Sequence, residues 1–519
     1  MITLISHIVL CGAQLHRHRP SRPLSTWILS LAHFSLSVLY THLLICTAPT
    51  IYHSLYLRSV TSPTIADGAI LLSQPPLTSL SLASSSILPP LRDLGLDLSD
   101  RSVSSPLAGA AGSSWISPAL WDAVPMAPAD PILGVSEMFR RDTHPERINL
   151  GVGAYRDDDG KPIVLPSVRH AEQLISGNQY MEYLPMGGLK SFVDASVKLA
   201  YGEHHPVVTE RRVAAIQTLS GTGACRVMGE FLASFPYPSH RPIYISDPTW
   251  GNHWQIAAGC GLTGRKYRYY DPNTCGLDWD GLVTDVKNAP NGSVFLMHAC
   301  AHNPTGVDPT LDQWRKLSAL FKEKQHFPVF DMAYQGFASG DFDRDSAALH
   351  IFLNDGHAMA LGQSYAKNMG LYGQRLGCLS VVCANEDEAL RVESNLKRIG
   401  RASYSNPPMH GALLASAILN DDNLRNQWKC EVKVMADRIK DMRSALRAAL
   451  EGTGSKRSWK HITDQIGMFA FTGLSPEMVD ELYLRHVYLL RTGRISMAGV
   501  NTKNVERLAQ HIHEVSRDP

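Results

Sequence analysis

Two short apolar runs, at residues 293–298 and 327–331, enclose a Pro/Gly turn and a polar-apolar stretch of helical period at 312–324. Strand, helix and strand in that order make a βαβ unit, which commits this part of the chain to a parallel sheet. A third run, 358–362, reads as a buried strand ending at Gln363 and Ser364. A fourth, 213–219, leads into Ser220-Gly221-Thr222-Gly223-Ala224, with a helix expected over 225–234. The class is therefore α/β. Ligands of such sheets bind beyond the carboxyl ends of the strands. Asn303, Asp331 and Lys367 all fall at that edge.

A partly enclosed lysine can lose its proton and act as nucleophile or base. By residue type alone Lys367 reads as a solvated loop residue; its company changes that. A turn of small residues opening a helix is a phosphate cradle, because free N–H groups and the helix dipole point at the anion. It is not the dinucleotide fingerprint, since Arg226 stands where the third glycine is required. Pyridoxal 5′-phosphate would use every one of these groups. Its aldehyde needs an amine, supplied by Lys367, and its ring nitrogen a carboxylate, supplied by Asp331. Its phenolate oxygen needs donors, Asn303 with Tyr334, and its phosphate the cradle Ser220-Gly221-Thr222. Arg375 adds a bidentate phosphate contact.

Longer motifs run through the chain in order. They include Asn149-Leu-Gly-Val-Gly-Ala-Tyr155, Pro248-Thr-Trp250-Gly-Asn-His253, His302-Asn-Pro-Thr-Gly306 and Asp331-Met-Ala-Tyr-Gln-Gly-Phe337. Ser364-Tyr-Ala-Lys-Asn-Met-Gly370, Tyr404-Ser-Asn-Pro-Pro-Met-His410 and Gly493-Arg-Ile-Ser496 follow. On these motifs the chain resembles the aspartate aminotransferases, among the fold-type I pyridoxal-phosphate enzymes, over residues 121–517. The wording of 181–188 and 459–468 is similar to the plant mitochondrial type. The resemblance implies a large cofactor domain at 157–434, with a mostly parallel seven-stranded sheet flanked by helices. It implies a smaller α/β domain joining 121–156 to 435–519. Independently, residues 421–451 are rich in good helix formers and suit an interdomain helix. Short strands are expected at 468–471 and 487–490, bracketing a helix at 476–485.

The resemblance also implies roles. Lys367, Asp331 and Tyr334 are the catalytic set. Trp250 stacks on the cofactor ring, Ser364 contacts its phosphate, and Tyr183 reaches that phosphate across a dimer interface. Arg494 matches the arginine for the substrate α-carboxylate. Arg401 matches the one for the distal carboxylate, reaching in from a neighbouring subunit. Gly153, Trp250 and Asn303 complete the substrate pocket. His253 braces Asp331, and His298 serves similarly. Phe469 lines the entrance or packs in the core, and Cys225 packs. By type alone an arginine is usually a solvated surface group and a lone histidine a structural one.

The implied reaction is reversible transfer of the amino group of L-aspartate to 2-oxoglutarate, giving oxaloacetate and L-glutamate, in a ping-pong cycle through a Schiff base on Lys367. An aromatic aminotransferase would share every cofactor residue and differ in the side pocket. The pair Arg401 and Arg494 argues against a lyase or decarboxylase on this fold. An intact Lys367 and Asp331 argue against a non-catalytic binding protein.

A net charge of +1 over 519 residues argues against nucleic-acid or acidic-surface partners. Nine cysteines without a CxxC pair suggest a reducing compartment rather than a disulfide framework. No HExxH occurs among the 22 histidines, and no metal site is expected. Residues 1–118 differ in kind. They are rich in Ser, Leu and Pro, and Arg17, Arg19, Arg22 and Arg58 precede the first acid, Asp67. Three readings stay open: an organelle transit segment, pointing to the mitochondrial matrix; an extended or mistaken gene model; or an anchor at 27–45. Residues 68–118 read as linker or disorder.

Overall fold

The computed structural model describes residues 121–517, apart from 129–130, 152, 178–179 and 236–241. All three leader readings lie outside the described residues.

Seven strands form one sheet: β1 (Val213–Leu219), β2 (Ile243–Asp247), β3 (Gly264–Arg268), β4 (Val294–His298), β5 (Phe327–Met332), β6 (Met359–Ser364) and β7 (Leu376–Val382). Their spatial order is β1-β7-β6-β5-β4-β2-β3. Only β7 runs antiparallel to its neighbours. Every residue of β4, β6 and β7 is buried. Continuous apolar runs of this kind belong to strands covered on both faces. The register places Asp331 of β5 opposite His298 of β4 and Gly362 of β6. Polar side chains from two adjacent strands thus meet at one end of the sheet, beside the glycine of a third.

The crossover from β4 to β5 carries α3 (Leu311–Lys324), after α1 (Ser220–Ser234) and α2 (Asn252–Gly259). Thr310 and Gln313 form a reciprocal capping box at its start. Helix α1 begins at Ser220, five residues before the start expected from the sequence. The Gly-rich stretch therefore is the first helical turn rather than a loop before it. Glycine is a poor helix former, but here tertiary contact overrides propensity. A Cβ at Gly221 would lie 3.2 Å from the Cβ of Ser364, so any larger residue would have to push β6 away by a few tenths of an ångström.

The longest of the helices that follow are α4 (Glu386–Tyr404) and α5 (Asp422–Gly452). Asp421 caps α5 by accepting from the backbone N–H of Leu424. The expected short strands are present. Phe469–Phe471 pairs antiparallel with Arg494–Ser496. Ile148–Asn149 pairs parallel with Val487–Tyr488, near the opposite end of the chain.

Candidate active site

A cavity of about 150 Å³ opens where β1, β4, β5 and β6 end. Its floor is Asp331, 6% exposed on β5. Asp331 Oδ2 lies 3.2 Å from His253 Nε2, and His253 Nδ1 lies 2.8 Å from Thr249 Oγ1. Burial pushes the Asp331 carboxyl up, but the hydrogen bond from His253, and its charge, hold it below the ordinary carboxylate value. Trp250 meets the His253 ring edge-on at 5.2 Å and lines the cavity.

His298 also lines the cavity, and its buried Nε2 has no hydrogen-bond partner among the described residues. Burial, then the charge of His253, lowers its pKa to about 3, so the ring is neutral. Cys225, His253 and Asp331 bring potential metal-ligand atoms within 4.8 Å of one another. Burial and the charge of Asp331 push the Cys225 thiol well up, so it stays protonated and is a poor cation ligand.

Lys367 lies just past β6, and its Nζ is 5.4 Å from the centre of the Tyr334 ring. Burial lowers the pKa of its ammonium; Asp331 opposes this, while Arg375 and Arg494 add to it. No hydrogen bond engages Nζ among the described residues. Burial keeps the Tyr334 phenol protonated, with its pKa well above the usual range. Opposite stands the cradle. Ser220 Oγ is 3.0 Å from Ser364 Oγ, and Gly221 and Thr222 lie in the first turn of α1, which carries no acidic residue. Arg375 closes that side, held at a φ of 51° and donating to the carbonyl of Tyr372 at 3.1 Å.

Arg494 enters from the strand Arg494–Ser496 and is 3% exposed. It donates to Asn303 Oδ1 at 3.3 Å and to the Gly151 carbonyl at 3.4 Å, and its buried Nε has no partner among the described residues. No carboxylate pairs with it among the described residues, and burial lowers its pKa to about 10. Such a group is a seat for an anion of planar, bidentate shape. Phe469 is buried in the core, as one of its two expected placements had it, and its ring lies 4.0 Å beneath the guanidinium.

Gly153, Asn303 and Tyr334 complete the lining. Arg401 and Tyr183 are not part of it. Arg401 is exposed on α4 and donates to Ser405 Oγ and, at 3.2 Å, to Asn406 Oδ1. Tyr183 is 81% exposed.

Three residues went unread in the sequence. Tyr372 lines the cavity, and its hydroxyl accepts from the Tyr155 N–H at 2.8 Å. Asp308 accepts from the N–H groups of Ala301 and His302 at 2.6 and 2.9 Å, fixing the loop that carries Asn303. His302 stacks on Tyr269 at 4.0 Å and bonds Ser246 and Thr305. The signal was in the motif: an Asp just past a Pro/Gly turn commonly ties back to that turn's backbone.

These groups fit pyridoxal phosphate. Among the described residues no hydrogen bond engages the lysine amine and Asp331 Oδ1 takes no protein donor, and a Cβ at Gly221 would crowd the cradle, 3.2 Å from the Ser364 Cβ and 3.7 Å from Asp331 Oδ1.

Residues 145–512 match the family of class I and II aminotransferases. The chain is 57% identical over 406 residues to the mitochondrial aspartate aminotransferase of Arabidopsis thaliana, covering 78% of this chain and 93% of that protein. The structure of a mitochondrial aspartate aminotransferase from Trypanosoma brucei superposes with a TM-score of 0.72 at 41% identity, covering 74% of this chain and all of that one. An aromatic-amino-acid aminotransferase from Burkholderia pseudomallei, covalently bound to pyridoxal phosphate, gives 0.75 at 38% identity, covering 77% of this chain and 100% of that one. Together with the lysine, carboxylate and phosphate cradle on one cavity, this establishes that the chain belongs to the class I and II aminotransferases.

Proposed function

We propose that this chain is a mitochondrial aspartate aminotransferase, moving the amino group of L-aspartate to 2-oxoglutarate with pyridoxal phosphate. The observation that carries the amino-acid reading is Arg494, a buried guanidinium that donates to Asn303 at the cavity and pairs with no carboxylate among the described residues; the choice of aspartate rests on the likeness to aspartate aminotransferases. When bound, the cofactor supplies an electron-accepting ring conjugated to the carbon that carries the amino group.

The chain's own residues do the rest. Ser220, Gly221, Thr222, Ser364 and Arg375 bind the phosphate. Asp331 holds a proton at the ring nitrogen, and His253 holds Asp331 ionised and oriented. Asn303 and Tyr334 donate to the phenolate oxygen, and Trp250 packs on the ring. Arg494 takes the substrate α-carboxylate and so aims the Cα–H bond. Lys367 Nζ, whose ammonium burial disfavours, takes the proton from that carbon. His298, neutral, adds no charge to compete with Asp331.

The protein works as a homodimer with shared sites. Arg401 of each copy binds the distal carboxylate in the other's cavity, and Tyr183 reaches its phosphate. The exposure of both residues in the single chain supports this. Residues 157–434 form the cofactor domain, and 121–156 with 435–519 the smaller one; the pairing of Ile148 with Val487 supports the join.

The ratio of kcat/KM for aspartate and phenylalanine tests the substrate. A ratio well above one is expected, and the reverse would make the enzyme an aromatic aminotransferase. A fluorescent protein fused behind residues 1–118 tests the location. Mitochondrial signal is expected, and a diffuse cytosolic or membrane-bound signal would overturn it.

A further inference from the structure

Arg443 stands on α5 with 3% exposure, and no carboxylate pairs with it among the described residues. Its guanidinium donates instead to three backbone carbonyls: Ile462 and Gly467, each at 2.8 Å, and Phe469. Its buried Nε has no partner among the described residues. Burying a guanidinium without an anion is costly, and burial pulls its pKa down to about 9. A bulky apolar residue would fill the same space without that cost, so the carbonyls it gathers are the feature to explain.

Those carbonyls belong to a segment, 462–469, that interlocks with the loop carrying Asn303. Gly467 takes a φ of 81°, and a Cβ there would lie 2.4 Å from the Ala301 Cβ. Gly306 takes a φ of 68°, and a Cβ there would lie 2.8 Å from the Phe469 carbonyl. Between them Ile466 N–H donates to the Gly306 carbonyl at 2.7 Å. Each partner of this interlock delivers one contact to Arg494. The loop delivers Asn303 Oδ1 at 3.3 Å, and the segment delivers the Phe469 ring at 4.0 Å.

We infer that Arg443 is a positioning residue for substrate carboxylate binding. By gathering three carbonyls of segment 462–469 it fixes the Phe469 ring, and through that ring the direction of the Arg494 guanidinium. The inference rests on the reading of Arg494 as the α-carboxylate seat. It concerns affinity for the carboxylate rather than the chemical step, because Arg443 touches neither Lys367 nor Asp331.

The test uses the full-length, cofactor-loaded enzyme with Arg443→Met, Arg443→Lys, Arg494→Lys and the double variant Arg443→Met/Arg494→Lys. The probe is succinate, a dicarboxylate that cannot be transaminated, with its Kd read by calorimetry. Arg443→Met should raise the succinate Kd and the aspartate KM by about tenfold, leaving kcat within about threefold and the visible absorption of the bound cofactor unchanged. Arg443→Lys, which keeps the charge but can reach fewer carbonyls, should fall between. In the Arg494→Lys background, Arg443→Met should change the Kd by less than about twofold, since the group it aims has gone. Independent, multiplying effects of the two substitutions would overturn the inference. So would a Kd within twofold of wild type for Arg443→Met, or loss of fold and cofactor in both Arg443 variants, which would make Arg443 a structural peg. If Arg494→Lys itself leaves the succinate Kd unchanged, the reading of Arg494 fails and this inference with it.

Discussion

His253 Nε2 sits 3.2 Å from Asp331 Oδ2, beneath the floor of the cavity, and occupies one oxygen of a carboxylate that is otherwise free. Both side chains are buried, at 1% and 6% exposure, so their interaction is little screened. The pair keeps a negative charge at the base of a site whose rim is cationic. That charge is the most direct target for mutation.

Asp331→Ala should weaken cofactor retention and slow proton abstraction, because a neutral ring is a poorer electron sink. Asp331→Glu restores the charge and should retain much more activity. Single-turnover rates with aspartate would compare the two. Equal impairment would replace the charge argument with a steric one.

Lys367→Ala should abolish steady-state transfer, by at least the ~10²–10⁴-fold that a general acid–base group contributes. Cofactor should still bind through the cradle, Arg375 and Asp331. Borohydride reduction of the wild type should leave a stable adduct on Lys367, identified by peptide mass. An adduct on a different lysine would refute the assignment.

The neutral His298 makes stability fall in acid. Its folded pKa, about 3, lies below the ordinary 6.5, so the unfolded chain binds more protons between those values. Stability is therefore lost as pH falls from 6.5 towards 3, amounting to ~2 kcal/mol between pH 7 and pH 5. His298→Asn should remove that part of the acid limb. Urea unfolding of both proteins at pH 7 and pH 5 measures it; parallel losses would show that His298 titrates normally.

Much of this site is legible in the sequence because its chemistry sits where strands stop. Asp331, Ser364 and Lys367 follow apolar runs whose length and burial fix the sheet, and the sheet fixes its mouth. Phe469 was not legible. Its place beneath Arg494 depends on the pairing of Phe469–Phe471 with Arg494–Ser496, a long-range register that no local pattern encodes. Arg443 lies in a stretch, 421–451, that by composition reads only as rich in good helix formers. Yet Val432, Met435, Ile439, Met442 and Leu446 mark the buried stripe of α5, and Arg443 falls within it at helical spacing. The start of α1 was misread because glycine signals a break locally, while its closeness to Ser364 is a tertiary fact.

Arg401→Asp should cost at least ~10²-fold in kcat/KM for aspartate, given the strength of a charged bidentate pair. Alanine, which lacks the second carboxylate, should be much less affected. Mixing inactive Arg401→Asp with inactive Lys367→Ala should restore about half the wild-type activity per heterodimer, since one cavity then carries neither defect. Heterodimers verified by mass that show no recovery would place Arg401 within its own chain or outside substrate binding.

The short strand at Ile148–Asn149 has an effect on timing. Its partner, Val487–Tyr488, lies near the far end of the chain, so this pairing cannot form on a ribosome until almost the whole protein has emerged. Gly151 and Gly153 follow directly, one accepting from Arg494 and the other lining the cavity. The sheet and phosphate cradle can assemble earlier from contiguous βα units. The carboxylate seat is therefore the last part of the site to be built, and a chain truncated before residue 487 lacks it.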